Sequence, residues 1–164
     1  MHNPVVYAAA HGLADADYET LRINFRGVGE STGRYDDGRG ELDDATTALD
    51  ALLAERTDEP REILVAGYSF GAATALRLAH RDPRITRVVA IATPVAMLDA
   101  DVLVSSGRPR LFVHGESDDL APLAQLRERL TQSAADELVV LPTDHFFGGE
   151  TDDLRDRVRD WAKR

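Results

Sequence analysis

The sequence predicts an α/β fold, a three-layer sandwich in which a mostly parallel, five-stranded sheet carries helices on both faces. Three observations lead there. Amphipathic helical stretches alternate with short apolar runs along the whole 164 residues. The runs are continuously apolar rather than alternating, as strands buried on both faces are. Gly, Pro and Asp clusters punctuate nearly every junction. Length, the absence of internal repeats and the absence of any low-complexity linker predict one domain over residues 1–164.

The elements follow in order. Asn3 to about Ala14 reads as a helix, with Pro4 suited to its first turn and Val5, Val6, Ala9, Ala10 and Leu13 near one face. Gly12 weakens its end. Tyr18–Phe25 alternates enough to be a strand and leads into a glycine-rich loop, Arg26–Gly33. That loop lacks the Lys-Ser/Thr ending of a phosphate cradle and does not open a helix, which argues against nucleotide binding. Glu41 to about Glu55 is a helix burying Leu42, Ala45, Leu49 and Leu52/Leu53, broken by Asp58-Glu59-Pro60. A strand over Glu62–Ala66 precedes a helix from Phe70 to about His80, which Asp82-Pro83 ends. Arg87–Ala92 is a buried strand. Val95–Ser106 is weakly patterned, a short helix or cap. Arg110–His114 is a strand, Leu123–Gln132 a helix and Glu137–Leu141 the last strand. Thr151 to about Ala162 closes the chain as a helix with Leu154, Val158 and Trp161 inward.

Composition narrows the function. There is no cysteine, which excludes disulfides, zinc–thiolate sites and cysteine nucleophiles. No apolar run reaches the roughly 20 residues of a membrane span, and the N-terminus lacks the pattern of a signal peptide, so a cytoplasmic location is expected. The net charge of −10 is spread along the chain and argues against nucleic-acid or anionic-membrane partners, which need a basic footprint. Lys163 is the only lysine among many arginines. Two readings account for this: a GC-rich coding bias, or an acidic surface adapted to salt, which screens charge to within about 3 Å at 1 M.

The stretch that carries chemistry is Ile63–Ala73, an apolar strand, a Gly-x-Ser-x-Gly turn and a helix start. A serine projected from such a turn sits on a strained bend, costing on the order of 1–3 kcal/mol. Gly67 and Gly71 let backbone approach closely, and the helix points its first amides at charge developing beside Ser69. The plainer possibility is a βα turn whose serine caps the helix. Ligands of such sheets bind at the carboxyl ends of strands. Two further loops there supply titratable groups: Gly115–Pro122 carries Asp118 and Asp119, and Pro142–Gly148 carries His145. Serine needs a base to become a nucleophile, and imidazole suits that task near neutral pH. A carboxylate then fixes the tautomer. His145 is the candidate base and Asp118 the candidate acid, with adjacent Asp119 the alternative. His114 at a strand end reads as buried structure, His80 as a helix exit, and His2 and His11 as incidental.

Four segments, Leu21–Ser31, Gly67–Ala72, His114–Asp118 and Asp144–Phe147, give the chain a resemblance to the small α/β-hydrolases related to dienelactone hydrolase and to the X-Pro dipeptidyl-peptidase-like hydrolases. The resemblance implies a serine hydrolase of ester or related acyl bonds, with Ser69, Asp118 and His145 as its Ser–His–Asp machinery and an acyl-enzyme intermediate. It implies that the Phe70 backbone N–H contributes to an oxyanion hole. It implies a small-molecule ester-type substrate and no metal or organic cofactor. Selectivity would lie in Arg26–Gly40 and Val95–Gly107.

The chain departs from this family at its start. Relatives carry a His-Pro-x-x-Gly-Gly-type loop just before the segment reading Met1–Val6, the source of a second oxyanion donor. They also place a strand between the counterparts of Tyr18–Phe25 and Ile63–Ala66. The expectation is therefore an N-terminally truncated version of the fold. Either the reading frame starts at an internal methionine, or a genuine short form pairs its two flanking strands directly. Two alternatives to the hydrolase follow: a non-catalytic binding protein on the same scaffold, with a homodimer through an exposed sheet edge, or an acyltransferase using Ser69.

Overall fold

The computed structural model describes residues 2–164 apart from 56, 59, 61, 105–106 and 131–133. Helix α1 spans Pro4–Ala14, and Asn3 caps it by accepting from the Val5 and Val6 amides at 2.9 and 3.2 Å. Helix α2 spans Arg39–Ala54. It starts on Glu41, a buried carboxylate that accepts the Asp36 and Gly38 amides at 3.0 and 2.9 Å. Strand β1, Leu64–Tyr68, runs straight into α3, Phe70–Arg81, with only Ser69 between them. Strand β2 is Arg87–Ile91. Short 3₁₀ turns over Val95–Met97 and Ala100–Leu103 stand where a short helix or cap was expected; the Ser106 end of that stretch lies outside the described residues. Strand β3 (Arg110–Gly115), helix α4 (Leu123–Arg129), strand β4 (Asp136–Leu141) and helix α5 (Thr151–Ala162) complete the chain. The expected end of α4 at Gln132 also falls outside the described residues.

The sheet is parallel throughout, in the order β1-β2-β3-β4. Consecutive strands pair, so each connection must cross over a face, as parallel neighbours require. Two apolar half-cores result. One joins the sheet to α2, α3 and α4 through Leu42, Leu49, Leu76, Leu78, Phe112 and Leu126. The other joins it to α1 and α5 through Val5, Leu13, Ile91, Leu111, Leu154 and Val158. Both faces are covered, and the three layers expected of the sequence are present.

The sheet has four strands, not the expected five. Residues 18–25 form no strand, because a ladder needs a neighbouring strand and none of the described strands pairs with them. Nor do they pair directly with β1, as a short form of the family was expected to do. Two residues separate the expected and observed starts of β1, which carries its ladder up to Tyr68↔Ile91, so that Ser69 leaves the sheet at its very edge.

Two polar clamps fix the strand ends. Arg87 reaches from the start of β2 to the Trp161 and Ala162 carbonyls at 2.8 and 3.0 Å, with its guanidinium 4.0 Å from the Trp161 ring centroid. Arg110 and Asp136, opposite one another across β3 and β4, form a buried pair at 2.6 Å. Gly12 lets α1 lie directly on α5: a Cβ there would meet the Arg155 carbonyl oxygen at 2.5 Å.

Candidate active site

The carboxyl ends of β1, β3 and β4 converge on one point. Ser69 has φ 53° and ψ −119°, a left-handed conformation that costs a non-glycine residue free energy and holds its side chain clear of the sheet. Its amide is tied to the Ile91 carbonyl at 2.9 Å. The Ala72 and Ala73 amides take its carbonyl at 2.8 and 3.2 Å. Gly67 is demanded by close approach, since a Cβ there would lie 2.0 Å from the Gly71 carbonyl oxygen. At Gly71 itself a Cβ would point into open space, so the two glycines of the motif have different reasons.

From Ser69 a hydrogen-bonded chain runs inward. Ser69 Oγ lies 2.9 Å from His145 Nε2, and His145 Nδ1 lies 2.8 and 3.0 Å from the two Asp118 carboxylate oxygens. A carboxylate only accepts, so the imidazole proton sits on Nδ1 and leaves Nε2 to accept from the serine hydroxyl. Asp118 is buried and also accepts the Leu120 and Ala121 amides at 3.0 and 2.7 Å. Asp119, the alternative acid, points to solvent.

The loops bearing Asp118 and His145 are built against each other. Glu116 N–H donates to the Leu141 carbonyl at 2.8 Å and Ser117 N–H to the Thr143 carbonyl at 3.0 Å. Gly115 permits this contact, because a Cβ there would fall 2.6 Å from both the Thr143 and the Asp144 carbonyl oxygens. The Tyr68 hydroxyl, one residue before the serine, donates to the His145 carbonyl at 3.1 Å. Burial, followed by the Asp118 and Asp144 charges, pushes the Tyr68 phenol up from its ordinary value. Neither Gly115 nor Tyr68 was marked by sequence reasoning. The signal for Gly115 was its place between a buried strand and an acidic loop; Tyr68 offered none, since an aromatic residue within Gly-x-Ser-x-Gly reads as strand.

His114 is fully buried, and its Nε2 lies against the Ala121 carbonyl and 3.7 Å from Asp118. Burial holds its pKa below the ordinary value, so it is neutral, with the proton on the nitrogen that faces the carbonyl. His80 sits beside Asp101, and His11 stacks on Tyr7 at 4.1 Å. Neither they nor His2 join the Ser69 cluster.

The surroundings of Ser69 are aromatic. Phe70 packs edge-on to Phe25 and Tyr35 at 5.5 and 5.8 Å, and Phe146, 64% exposed, stands edge-on to His145 at 5.6 Å. Phe70 opens α3, where a backbone N–H has no intrahelical acceptor. The glycine-rich loop after Phe25 is held by Arg26, whose guanidinium and backbone N–H all bond Asp44 of α2 at 2.7 to 3.2 Å.

A parallel sheet with a strained serine between strand and helix, and an acid and a histidine on later strand ends, defines an α/β hydrolase. Residues 2–142 match the family described as serine aminopeptidase, S33, and the chain belongs to that family. An uncharacterized protein of Rickettsia prowazekii is 34% identical over 171 residues, covering 98% of this chain and 71% of its own. Among solved structures, an alpha-beta serine hydrolase homologue from Coxiella burnetii is 32% identical with a TM-score of 0.87, over 98% of this chain and 76% of that one. XC6422 from Xanthomonas campestris, an α/β serine hydrolase without a lid, is 31% identical with a TM-score of 0.86, over 100% of this chain and 74% of that one.

Proposed function

We propose that this chain hydrolyses ester or related acyl bonds of small molecules, with Ser69 as nucleophile, His145 as general base and Asp118 as the group that orients it. The observation carrying this reading is the continuous hydrogen-bonded chain from Ser69 Oγ through His145 to buried Asp118.

Chemistry follows from the geometry. His145 Nε2 takes the hydroxyl proton as Ser69 Oγ adds to the acyl carbon. The imidazolium that forms is stabilised by Asp118, and the tetrahedral oxyanion accepts from the Phe70 N–H. On collapse, Nε2 returns its proton to the leaving alkoxide and the acyl-enzyme remains. Water, deprotonated by the same nitrogen, then releases the acid. One donor in such a hole is worth on the order of 10²–10³ in rate. The Phe25, Tyr35 and Phe70 rings beside the serine suit a substrate with an apolar acyl or alkyl part.

A fluorophosphonate probe and a panel of short-chain p-nitrophenyl esters test the reading together. Ser69 is expected to carry the adduct, and Ser69→Ala to lose both adduct and turnover. Asp118→Asn keeps the fold but presents the wrong imidazole tautomer, and should lower kcat by about 10⁴. Ester turnover that survives Ser69→Ala would overturn the proposal.

A further inference from the structure

His145 stands between two aromatic rings. Tyr68 packs on it from the strand side, with ring centroids 5.3 Å apart, and its hydroxyl is engaged by the His145 carbonyl. Phe146 meets it from the solvent side, edge-on at 5.6 Å and 85°. Phe146 is 64% exposed, whereas the next residue, Phe147, is fully buried.

The backbone holds the exposed ring in place. The Phe146 N–H donates to Asp144 Oδ1 at 2.9 Å, and the His145 carbonyl before it accepts from Tyr68 at 3.1 Å. After it, the Phe147 N–H donates to the Asp144 carbonyl at 3.4 Å. Phe147 then seats its own ring in the core shared by the sheet, α1 and α5. An aromatic side chain offered to water on so fixed a frame loses little freedom when it meets a flat partner, and rings prefer such partners.

The place of Phe146 beside His145 selects the part of a substrate that it meets. As Ser69 is acylated, the leaving oxygen must come within hydrogen-bond reach of His145 Nε2, the nitrogen that lies 2.9 Å from Ser69 Oγ, to receive its proton. The alcohol attached to that oxygen is then carried along the imidazole, and Phe146 is the exposed side chain in contact with that ring. The rings of Phe25, Tyr35 and Phe70 are left to the acyl part.

We infer that Phe146, given the hydrolase reading on which this rests, is a specificity-determining residue that contacts the alcohol side of the ester and selects flat, aromatic alcohols over small alkyl ones. The alcohol has departed before water attacks the acyl-enzyme, so a contact with it acts on acylation and not on deacylation. A residue that merely supported His145 would act on both, because the same imidazole serves both steps.

Methyl acetate and benzyl acetate isolate the effect. They give the same acetyl-enzyme, and their alcohols are of similar acidity, so the chemistry of departure is matched. For both esters kcat/KM, which reads acylation, is measured on the wild type, Phe146→Ala and Phe146→Leu, and decay of the acetyl-enzyme is followed separately in single turnovers. The wild type should favour benzyl acetate by about tenfold or more, and Phe146→Ala should cut that ratio by about three- to tenfold, the worth of one aromatic contact. Phe146→Leu, apolar but not flat, should recover less than half of the loss. An unchanged ratio in Phe146→Ala, on protein that turns over esters and takes a fluorophosphonate at Ser69, overturns this inference and leaves the hydrolase reading standing. So does an equal loss on both esters with slower decay of the acetyl-enzyme, which would make Phe146 a support for His145. Full recovery in Phe146→Leu overturns the selection of flat alcohols. Neither adduct nor turnover in the wild type overturns the inference together with the hydrolase reading.

Discussion

His114 shows how a residue outside the hydrogen-bonded chain can govern it. Its imidazole is buried behind Asp118 and holds the Ala121 carbonyl, while the Ala121 amide is one of the two that bind the Asp118 carboxylate. Burial keeps His114 neutral, and the smaller opposing pulls of the Ala121 carbonyl and then of Asp118 do not reverse this. The folded state therefore binds a proton less readily than the unfolded chain does. Stability from this residue is complete above the ordinary histidine value of 6.5 and is lost as pH falls from there towards the lower folded value. Denaturant unfolding at a series of pH values should show this decline. His114→Gln retains a donor for Ala121 but cannot titrate, and it should flatten that part of the profile.

At the scale of elements, the contact of α1 with α5 decides between two effects of Gly12→Ala. Replacing a helical glycine by alanine gains about 1 kcal/mol in propensity. Here the new Cβ meets a backbone oxygen at 2.5 Å, which no rotamer change relieves. Overpacking of that kind costs about 1–3 kcal/mol. The net expectation is a loss of roughly 1 kcal/mol, read as a lower urea midpoint with an unchanged m-value. Sequence pattern placed the helices and the four paired strands to within a few residues, because apolar periodicity and Gly/Pro punctuation report local burial. It brought Ser69, Asp118 and His145 to notice because each follows a strand. It failed on residues 18–25, whose alternation is that of a strand but whose pairing depends on a neighbour the pattern cannot supply. It also left out the close approach at Gly12, whose partner lies on α5, far away along the chain.

For the whole molecule, a net charge of −10 on 164 residues means self-repulsion that salt should relieve. Many carboxylates are already paired: Asp44 with Arg26, and Asp82 with Arg84, are each held below the usual carboxylate range by a hydrogen-bonded guanidinium. Screening will weaken those partly exposed pairs while it relieves the unpaired acids. Because acids outnumber bases by 29 to 19, the second effect should win, and the unfolding midpoint should rise between low and molar salt. No gain would remove salt adaptation as the reason for the acidic surface. Among the described residues, no helix is long and apolar enough to cross a membrane.

The edge position of β4 has a consequence for how the protein wears out. β4 is only half buried along most of its length and pairs on one side alone, yet the loop after it carries His145. Ser69 stands at the end of β1, three places across the sheet, and is anchored to the interior strand β2. Fraying at the β4 edge would thus part His145 from Ser69 while the rest of the sheet persists. On gentle heating, the ester turnover proposed above should decay before far-UV circular dichroism does, and return on cooling. The molecule would idle reversibly before it melts.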